Sequence, residues 1–207
     1  DQENVFYYVT CMNENYVQPP MPAGVEDGIL KGLYLLQVGG KGKVRAQLMG
    51  SGTILREVIA AAEMLEADFD IPADVWSVTS FSELARDARS AERDARLHPE
   101  SASPVAHVQH CFADREGPFV AATDYMALVP DQIRAWVPGR YVTLGTDGYG
   151  RSDGRVALRR HFEVDRWHIA IAALKALADD GKLDIRTVTE AIKRYDVDPG
   201  APDPQYA

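Results

Sequence analysis

The sequence has few cysteines and no long apolar run. Cys11 and Cys111 are the only cysteines in 207 residues, and no secretory signal precedes them. Two thiols this far apart predict free cysteines in a reducing cytoplasm, which argues against a disulfide framework. The stretch from Ile169 to Leu177 is apolar, but it is short and Lys175 interrupts it. Because a membrane helix needs about 20 apolar residues, the sequence predicts no spanning segment.

The sequence also has no excess of basic residues. The chain has 31 acidic residues against 22 Lys or Arg, which gives a formal net charge of -9. This charge repels phosphate backbones and anionic lipid surfaces, so we expect neither nucleic-acid nor membrane-surface binding. Hydrophobic residues make up 46% of the chain, enough at this length to bury a core without metals or disulfides. The composition therefore predicts a globular domain.

Short strand patterns alternate with helical patterns along most of the chain. Aromatic, aliphatic and β-branched runs predict strands at Leu33–Leu36, Val44–Met49, Val75–Ser80, Phe119–Ala122 and Tyr141–Leu144. Apolar periodicity predicts helices at Val25–Lys31, Leu55–Leu65, Phe81–Leu97, Arg155–Phe162, Arg166–Ala178 and Ile185–Tyr195, with short helical pieces at Tyr125–Leu128 and Gln132–Trp136. This alternation indicates an α/β fold of three layers, α/β/α, around a mainly parallel, mixed sheet of about five strands.

Prolines mark the boundaries that we predict. Asn4–Thr10 has the pattern of a buried strand, and a proline cluster follows it. We expect residues 1–22 to be the last strand of a preceding domain and its linker, and residues 23–43 to be a connecting segment. Residues 44–198 would form the α/β domain and residues 199–207 a tail. Because the chain starts at Asp1 and enters a strand at once, we expect it to be part of a longer polypeptide.

The glycine- and aspartate-rich turn after the last predicted strand is the first candidate site. Its glycines allow a sharp reversal, and it would lie at the carboxyl end of a strand, the usual place for sites in open α/β folds. Asp147 and Ser152 are the residues that could bind a ligand there. A purely structural connection is the alternative. Ser152 or Asp153 could also cap the next helix, as Asp165 and Asp184 could cap the two that follow.

A second glycine turn and a His/Cys cluster have weaker signals. The turn Gly50-Ser51-Gly52 opens a helix whose amides could hold a phosphate or carboxylate, although strand-to-helix packing is favoured. His107, His110 and Cys111 have helix-like spacing and could bind zinc. No second cluster supplies further ligands, so ordinary surface or core histidines are favoured.

His161 and His168 flank two acidic residues, Glu163 and Asp165. A carboxylate can hold an imidazole in one tautomer for acid–base work, which makes this a candidate catalytic pair. Helix capping and packing are the favoured alternative. The sequence contains neither a nucleophile-elbow serine motif nor a P-loop.

Several longer stretches together resemble one family. These are TDGYGRSD, the following RRHFEVD, the early ENVFYYVTCMNENY, and VTSFSELARDARSAER with LHP behind it. They resemble the homodimeric type of pyruvate dehydrogenase, the thiamine-diphosphate-dependent first component of its complex, over nearly the whole chain and in order. More loosely, GSGTILREVIAAAEML and GTDGYGRSD are similar to the carboxyl-terminal domain of transketolases.

The resemblance implies a homodimeric cytoplasmic enzyme of three α/β domains, of which this chain carries the last. Such enzymes oxidatively decarboxylate pyruvate and pass the acetyl unit to lipoyl groups of a dihydrolipoyl acyltransferase. Thiamine diphosphate and Mg would lie between the first two domains, outside this chain. The chain itself would fold, dimerise and buttress the active-site domains.

Two alternatives to this role stay open. The chain could act as a binding module, either through an effector at Gly145–Ser152 or through the acidic residues of Glu83–Glu100, which could meet a basic acyltransferase segment. A solvated helix face is the favoured explanation of those acidic residues. The chain could also be the carboxyl-terminal domain of another transketolase-like enzyme.

The asparagines decide what the resemblance implies for the cofactor site. Enzymes of this kind hold Mg with a Gly-Asp-Gly motif and later asparagines, because the ion needs oxygen ligands. Thr146-Asp147-Gly148 resembles only the end of that motif, and the asparagines Asn4, Asn13 and Asn15 all precede it. We therefore predict no catalytic, cofactor or metal residue in this chain.

Overall fold

A computed structural model describes Asn4, Phe6 and residues 14–207, so the predicted strand at Asn4–Thr10 lies largely outside the described residues, as does Cys11. The strands are β1 (Leu33–Gln37), β2 (Ala46–Gly50), β3 (Ala73–Val78), β4 (Phe119–Ala122) and β5 (Tyr141–Leu144). The helices are α1 (Glu26–Lys31), α2 (Leu55–Phe69), α3 (Phe81–Leu97), α4 (His107–Phe112), α5 (Leu128–Asp131), α6 (Arg155–His161), α7 (Arg166–Asp179) and α8 (Ile185–Arg194), with 3-10 turns at Gly52–Ile54 and Arg134–Trp136.

The five strands form one mixed sheet in the order β1-β3-β2-β4-β5. β3, β2, β4 and β5 run parallel to one another, and β1 pairs antiparallel with β3. The chain runs from β2 to β3 on one side and then returns to place β4 on the other side of β2. The strand order therefore reverses between β2 and β4, where open α/β sheets form a crevice at their carboxyl edge.

Helices cover both faces of the sheet, which confirms the predicted three-layer architecture. Side chains alternate along each strand, so Leu48 packs in the cluster that contains Val58 of α2 and Leu174 of α7. The next residue, Met49, packs on the opposite face with Phe112 of α4 and with α3. All these side chains are fully buried, and each large one contributes about 1.5–3 kcal/mol of transfer free energy.

The predicted helix caps are partly confirmed. Asp165 Oδ1 accepts from His168 N at 3.0 Å at the start of α7, and Asp184 Oδ1 accepts from Arg186 N at 2.9 Å at the start of α8. The cap predicted for α6 is wrong, because Gly154 occupies that position without a side-chain bond. Asp153 lies one residue too early and instead accepts from Gly154 N at 2.6 Å.

One short helix is also displaced from its predicted position. A helical piece was predicted at Tyr125–Leu128, whereas α5 begins at Leu128 and ends at Asp131. The prediction placed Pro130 beyond the helix. The ring instead lies in the first turn of α5, where a missing amide breaks no helical hydrogen bond.

Two predicted flanking segments make contact with the α/β domain. β1, which belongs to the predicted connecting segment 23–43, forms an edge of the sheet. In the predicted tail 199–207, the backbone at Pro204 lies against Gly148, where φ is +99° and a Cβ atom would overlap the Pro204 carbonyl. The four-part division of the chain stays a prediction. Within the described residues, no helix combines the length and apolar character needed to cross a bilayer.

Candidate functional site

A cavity of about 340 Å³ opens at the carboxyl edge of the sheet. We call it the arginine cavity. Thr53, Asp124 and Thr146 line it, and these residues follow β2, β4 and β5 respectively. The cavity therefore lies where the strand order reverses, the position at which open α/β folds bind ligands.

The lining combines an apolar floor with a basic wall. Four apolar side chains form the floor, namely Ile54, Leu158, Phe162 and Val164. Three arginines form the wall, namely Arg151 in the loop before α6 and Arg155 and Arg159 on α6. A cavity of this size with mostly apolar lining and a few polar groups is typical of small-molecule sites.

Arg159 connects this wall to two carboxylates. Its Nη2 donates to Glu14 Oε2 at 2.8 Å and to Thr53 Oγ1 at 2.9 Å, while its Nη1 donates to Glu57 Oε1 at 3.4 Å. Arg56 Nη1 donates to the other oxygen of Glu14 at 2.7 Å. Partial burial raises the pKa of Glu14, but the hydrogen bonds from Arg159 and Arg56 outweigh it, so this pKa lies below its ordinary value.

Glu57 is the buried centre of the same network, with 4% of its surface exposed. Its Oε2 accepts from the backbone N of Arg166 at 3.1 Å and from Arg166 Nε at 2.8 Å. One carboxylate thus ties the first turn of α2 to the first residue of α7. The side-chain hydrogen bond to Glu57 raises the pKa of Arg166 above its ordinary value, so this guanidinium group stays charged.

The two loops above the cavity are tied to each other. Asp147 Oδ2 accepts from Ala127 N at 3.1 Å, and Thr146 Oγ1 donates to the Asp124 carbonyl at 2.8 Å. Asp147 therefore shapes the turn, as the structural alternative proposed. Ser152 is exposed and lines a neighbouring cavity, while Asp147 lines a third. The structure does not bring these two predicted residues together around one cavity, and a ligand between them stays a prediction.

Asp124 is the acidic member of the arginine cavity. Burial raises its pKa above the ordinary value, although its backbone hydrogen bond and the charge of Arg159 lower it in part. Gly52 lies opposite with φ +54°, and a Cβ atom there would be 3.4 Å from Asp124 Oδ1. Glycine at this position allows the left-handed backbone that brings the turn after β2 close to Asp124.

The Gly50-Ser51-Gly52 turn otherwise serves packing. A Cβ atom on Gly50 would lie 2.7 Å from Leu55 Cα, so glycine lets β2 approach α2 closely. The Ser51 hydroxyl is buried and lies 2.7 Å from Thr123 Oγ1. The structure thus supports the packing alternative for the first two residues of this turn.

The predicted zinc candidates lie on or at the start of α4. His107 Nε2 lies 2.9 Å from the Leu33 carbonyl oxygen, and Cys111 Sγ lies 3.5 Å from the same ring nitrogen. His110 is exposed. Burial raises the pKa of the Cys111 thiol to about 11, so the thiolate that zinc prefers is disfavoured. These contacts support the structural alternative.

His168 and Asp165, at the start of α7, also have a structural role. His168 Nδ1 lies 2.7 Å from Asp165 Oδ1, the oxygen that caps the helix, and Arg160 Nη1 lies 3.6 Å from Asp165 Oδ2. His161 Nε2 is buried and has no hydrogen-bond partner among the described residues, and Glu163 is exposed. The structure therefore joins His168 with Asp165 alone, in the capping role.

The described residues do not fit a metal-bound diphosphate cofactor. In that part of the chain, no three His, Cys, Asp or Glu side chains are close enough together to hold a metal ion. Asp147, the aspartate of the Gly-Asp-Gly-like turn, already accepts a backbone hydrogen bond from Ala127. The prediction that thiamine diphosphate and Mg bind elsewhere in a longer protein stays a prediction.

Sequence reasoning missed the residues that build this site, namely Glu14, Glu57, Asp124 and Arg159. The partners of Glu57 and Arg159 lie 102 to 145 residues away in sequence, so no local motif marks them. The spacing of Arg155 and Arg159 at i and i+4 on the predicted helix was the available signal, because it places both guanidinium groups on one helix face.

Comparison with known proteins identifies a family and several relatives. Residues 32–165 match the model of the transketolase-like TK C-terminal domain. The chain is 54% identical over 206 residues to the pyruvate dehydrogenase E1 component of Pseudomonas aeruginosa, covering 99% of this chain and 23% of that protein. It is 49% identical over 209 residues to the E1 component of Escherichia coli K12, covering 100% of this chain and 23% of that protein.

A solved transketolase from Leishmania mexicana is 17% identical, with a TM-score of 0.46, and the match covers 85% of this chain and 20% of that structure. This similarity adds nothing to the sequence matches. The chain spans about a quarter of the length of the curated relatives, 23% in each of the two named above. The matched family model extends from β1 to Asp165 and so includes the whole sheet. The chain therefore belongs to the transketolase-like TK C-terminal domain family.

Proposed function

We propose that this chain is the carboxyl-terminal domain of a pyruvate dehydrogenase E1 component. The longer enzyme would oxidatively decarboxylate pyruvate and transfer the acetyl unit to lipoyl groups of an acyltransferase. The single observation that carries this proposal is 54% identity over 206 residues to a protein of that name. Identity at this level across the whole chain favours this enzyme over other transketolase-like enzymes.

The role that we propose for the chain itself is to fold, dimerise and support the active-site domains. Thiamine diphosphate and Mg would bind in the remainder of the longer protein. The residue pattern supports this division, because the described residues lack a metal-ligand cluster and Asp147 is engaged with Ala127. A second copy of the subunit and the acyltransferase are the proposed partners, and the two widely spaced cysteines favour the cytoplasm.

We do not propose the acidic helix α3 as the surface that binds the acyltransferase. Three of its carboxylates are engaged within the chain, since Asp87 accepts from His107 N at 2.7 Å, Glu92 accepts from Trp136 Nε1 at 2.8 Å and Glu83 Oε1 accepts from Arg86 Nη2 at 2.7 Å. These contacts favour the alternative of a solvated face with structural hydrogen bonds.

Two calorimetric titrations and one activity assay test the proposal. Thiamine diphosphate with Mg²⁺ should give no heat of binding with the 207-residue chain, and should bind the full-length protein that contains it. The full-length protein should also release CO₂ from pyruvate. Binding of the cofactor by the chain alone would contradict the proposed division, and a full-length protein inactive on pyruvate would contradict the proposed enzyme.

A further inference from the structure

We propose that the arginine cavity binds a small organic anion, an apolar body that bears one carboxylate or phosphate group. This inference goes beyond the proposed function, which places all cofactor and substrate chemistry outside the chain. It rests on the geometry at the carboxyl edge of the sheet.

The charge lining the cavity is opposite to that of the chain. Arg151, Arg155 and Arg159 line the cavity together with Asp124, whereas the whole chain carries a net charge of -9. Among the described residues no carboxylate pairs with Arg151, which is exposed at the rim. Because guanidinium groups hydrogen-bond carboxylate and phosphate oxygens in pairs, the anionic end of a ligand would lie at Arg151.

An internal carboxylate already shows what this cluster of arginines binds. Glu14 comes from the segment before the proline cluster, and its two oxygens lie 2.8 Å from Arg159 Nη2 and 2.7 Å from Arg56 Nη1. Arg155 Nε lies 3.5 Å from the same side chain. Glu14 lines a neighbouring cavity together with Arg155 and is not among the residues that line the arginine cavity, so it does not occupy the space proposed for a second anion.

The floor of the cavity selects for an apolar body. Ile54, Leu158, Phe162 and Val164 face the same space as the arginines. A bare inorganic anion would leave this surface in water, whereas an aromatic or branched aliphatic group would cover it and gain the transfer free energy of apolar burial. The volume of about 340 Å³ suits a molecule of this kind.

The walls of the cavity are held in place by contacts within the chain. Thr146 N donates to the Tyr125 carbonyl at 2.9 Å, and Asp147 accepts from Ala127 N at 3.1 Å. Gly145 lies so close to Ala127 that a Cβ atom would overlap the backbone there. A ligand therefore meets a formed site and does not have to order these loops, which favours affinity.

Isothermal titration calorimetry at constant ionic strength tests the proposal with three probes, namely phenyl phosphate, benzoate and inorganic phosphate. We expect phenyl phosphate or benzoate to bind the chain, and inorganic phosphate to bind at least about tenfold more weakly because it leaves the apolar floor uncovered. The aromatic probe that binds distinguishes a phosphate from a carboxylate as the preferred group. Failure of both aromatic probes to bind at millimolar concentration would overturn the proposal, as would equal affinity for inorganic phosphate.

Two arginine variants locate the binding. Arg151→Ala should lower the affinity of the chain for the aromatic probe by at least about tenfold, since the substitution removes a charge-assisted hydrogen bond. Arg186→Ala is the matched control, because Arg186 is exposed on α8 and pairs with its neighbour Asp184. Both side chains are exposed, so both variants should fold, which circular dichroism verifies. Equal affinity in the two variants would contradict a site at the arginine cavity. None of these outcomes depends on thiamine diphosphate.

Discussion

A buried carboxylate pairs with two arginines both at the amino ends of the parallel strands, here called the amino edge, and at their carboxyl ends, the carboxyl edge. The surroundings of the two carboxylates differ. At the amino edge Asp74 pairs with Arg45 at 3.2 Å and with Arg115 at 3.5 Å. At the carboxyl edge Glu57 pairs with Arg166 at 2.8 Å and with Arg159 at 3.4 Å. A carboxylate paired with two arginines therefore occurs twice, once enclosed by the chain and once beside a cavity.

The amino edge is closed by backbone. Asp74 is fully buried and also accepts from Gln47 Nε2 at 3.0 Å and from Gly39 N at 3.0 Å. The chain at Gly117 passes so close to the Arg45 carbonyl that a Cβ atom would overlap it. Asp74 accepts all of these hydrogen bonds from groups of the chain itself, and we assign the arrangement to stability.

At the carboxyl edge the arginine pairs are shared with other groups. Arg159 divides its donors among Glu57, Glu14 and Thr53, and it also lines the arginine cavity. The network around Glu57 thus borders a cavity through Arg159, whereas Asp74 is fully buried. The two buried ion pairs therefore differ in their position relative to the strand ends, and only the pair at the carboxyl edge belongs to the binding site that we propose.

Removing each carboxylate should separate the two edges by stability. We expect Asp74→Ala to lower the free energy of unfolding by about 3–5 kcal/mol, because two arginines and two further donors lose a buried partner. Glu57→Ala should lower it by about 1–3 kcal/mol, since Arg159 keeps Glu14 and Arg166 can reach water. Urea unfolding measures both, and the exposed Asp27→Ala is the control with an effect within about 0.5 kcal/mol. Equal losses of unfolding free energy for Asp74→Ala and Glu57→Ala would contradict the proposed difference between the two edges.

A glycine substitution tests whether the amino edge is closed. Gly117→Ala should lower the free energy of unfolding by more than about 2 kcal/mol, because φ is +92° there and the added methyl group meets the Arg45 carbonyl. Gly154→Ala is the matched control, since Gly154 has φ -65° and open space around its Cα. Thermal unfolding of the two variants gives the answer. A Gly117→Ala protein as stable as the control would show that the amino edge has room to move.

The loop at the carboxyl edge should respond more weakly. Asp147→Ala removes the acceptor for Ala127 N, and we expect a loss of about 1 kcal/mol in stability. Asp147→Asn keeps one side-chain oxygen and should therefore lower the stability by less than Asp147→Ala does. In the full-length enzyme that we propose, both changes should lower the melting temperature and leave the Michaelis constant for pyruvate unchanged. A large loss of activity with unchanged melting would assign Asp147 a direct functional role.

The smallest expected effect concerns two acids with opposite pKa shifts. Because burial raises the pKa of Asp124, its charged form destabilises the folded state above the ordinary pKa, so Asp124→Asn should stabilise the protein at neutral pH. The pKa of Glu14 is lowered, so Glu14→Gln should destabilise the protein at neutral pH. Both effects should vanish in acid, where both side chains are protonated in the folded and unfolded states. Urea unfolding across this pH range tests the two signs, and a stabilising Glu14→Gln would contradict the network.

Much of the fold was predictable because its determinants are local. The strand Phe119–Ala122 and the helix Phe81–Leu97 have the predicted boundaries, since side-chain periodicity and the Ser80 cap act within a few residues. The candidate site was not predictable in the same way. Glu57 and Arg166 lie 109 residues apart, and Glu14 and Arg159 lie 145 apart, so only the folded sheet brings them together. Sequence reasoning pointed to the edge of the sheet where the arginine cavity lies, but it singled out Asp147 and Ser152, which line two other cavities.

Amide chemical-shift mapping tests most directly the claim that the carboxyl edge is the binding edge. Titration of the ¹⁵N-labelled chain with phenyl phosphate or benzoate should move the resonances of residues 51–55, 123–127 and 145–160, which surround the arginine cavity. Residues 39–45, 72–74 and 115–118 at the amino edge should stay unchanged. Shifts confined to the amino edge, or an unchanged spectrum with both ligands, would contradict the account.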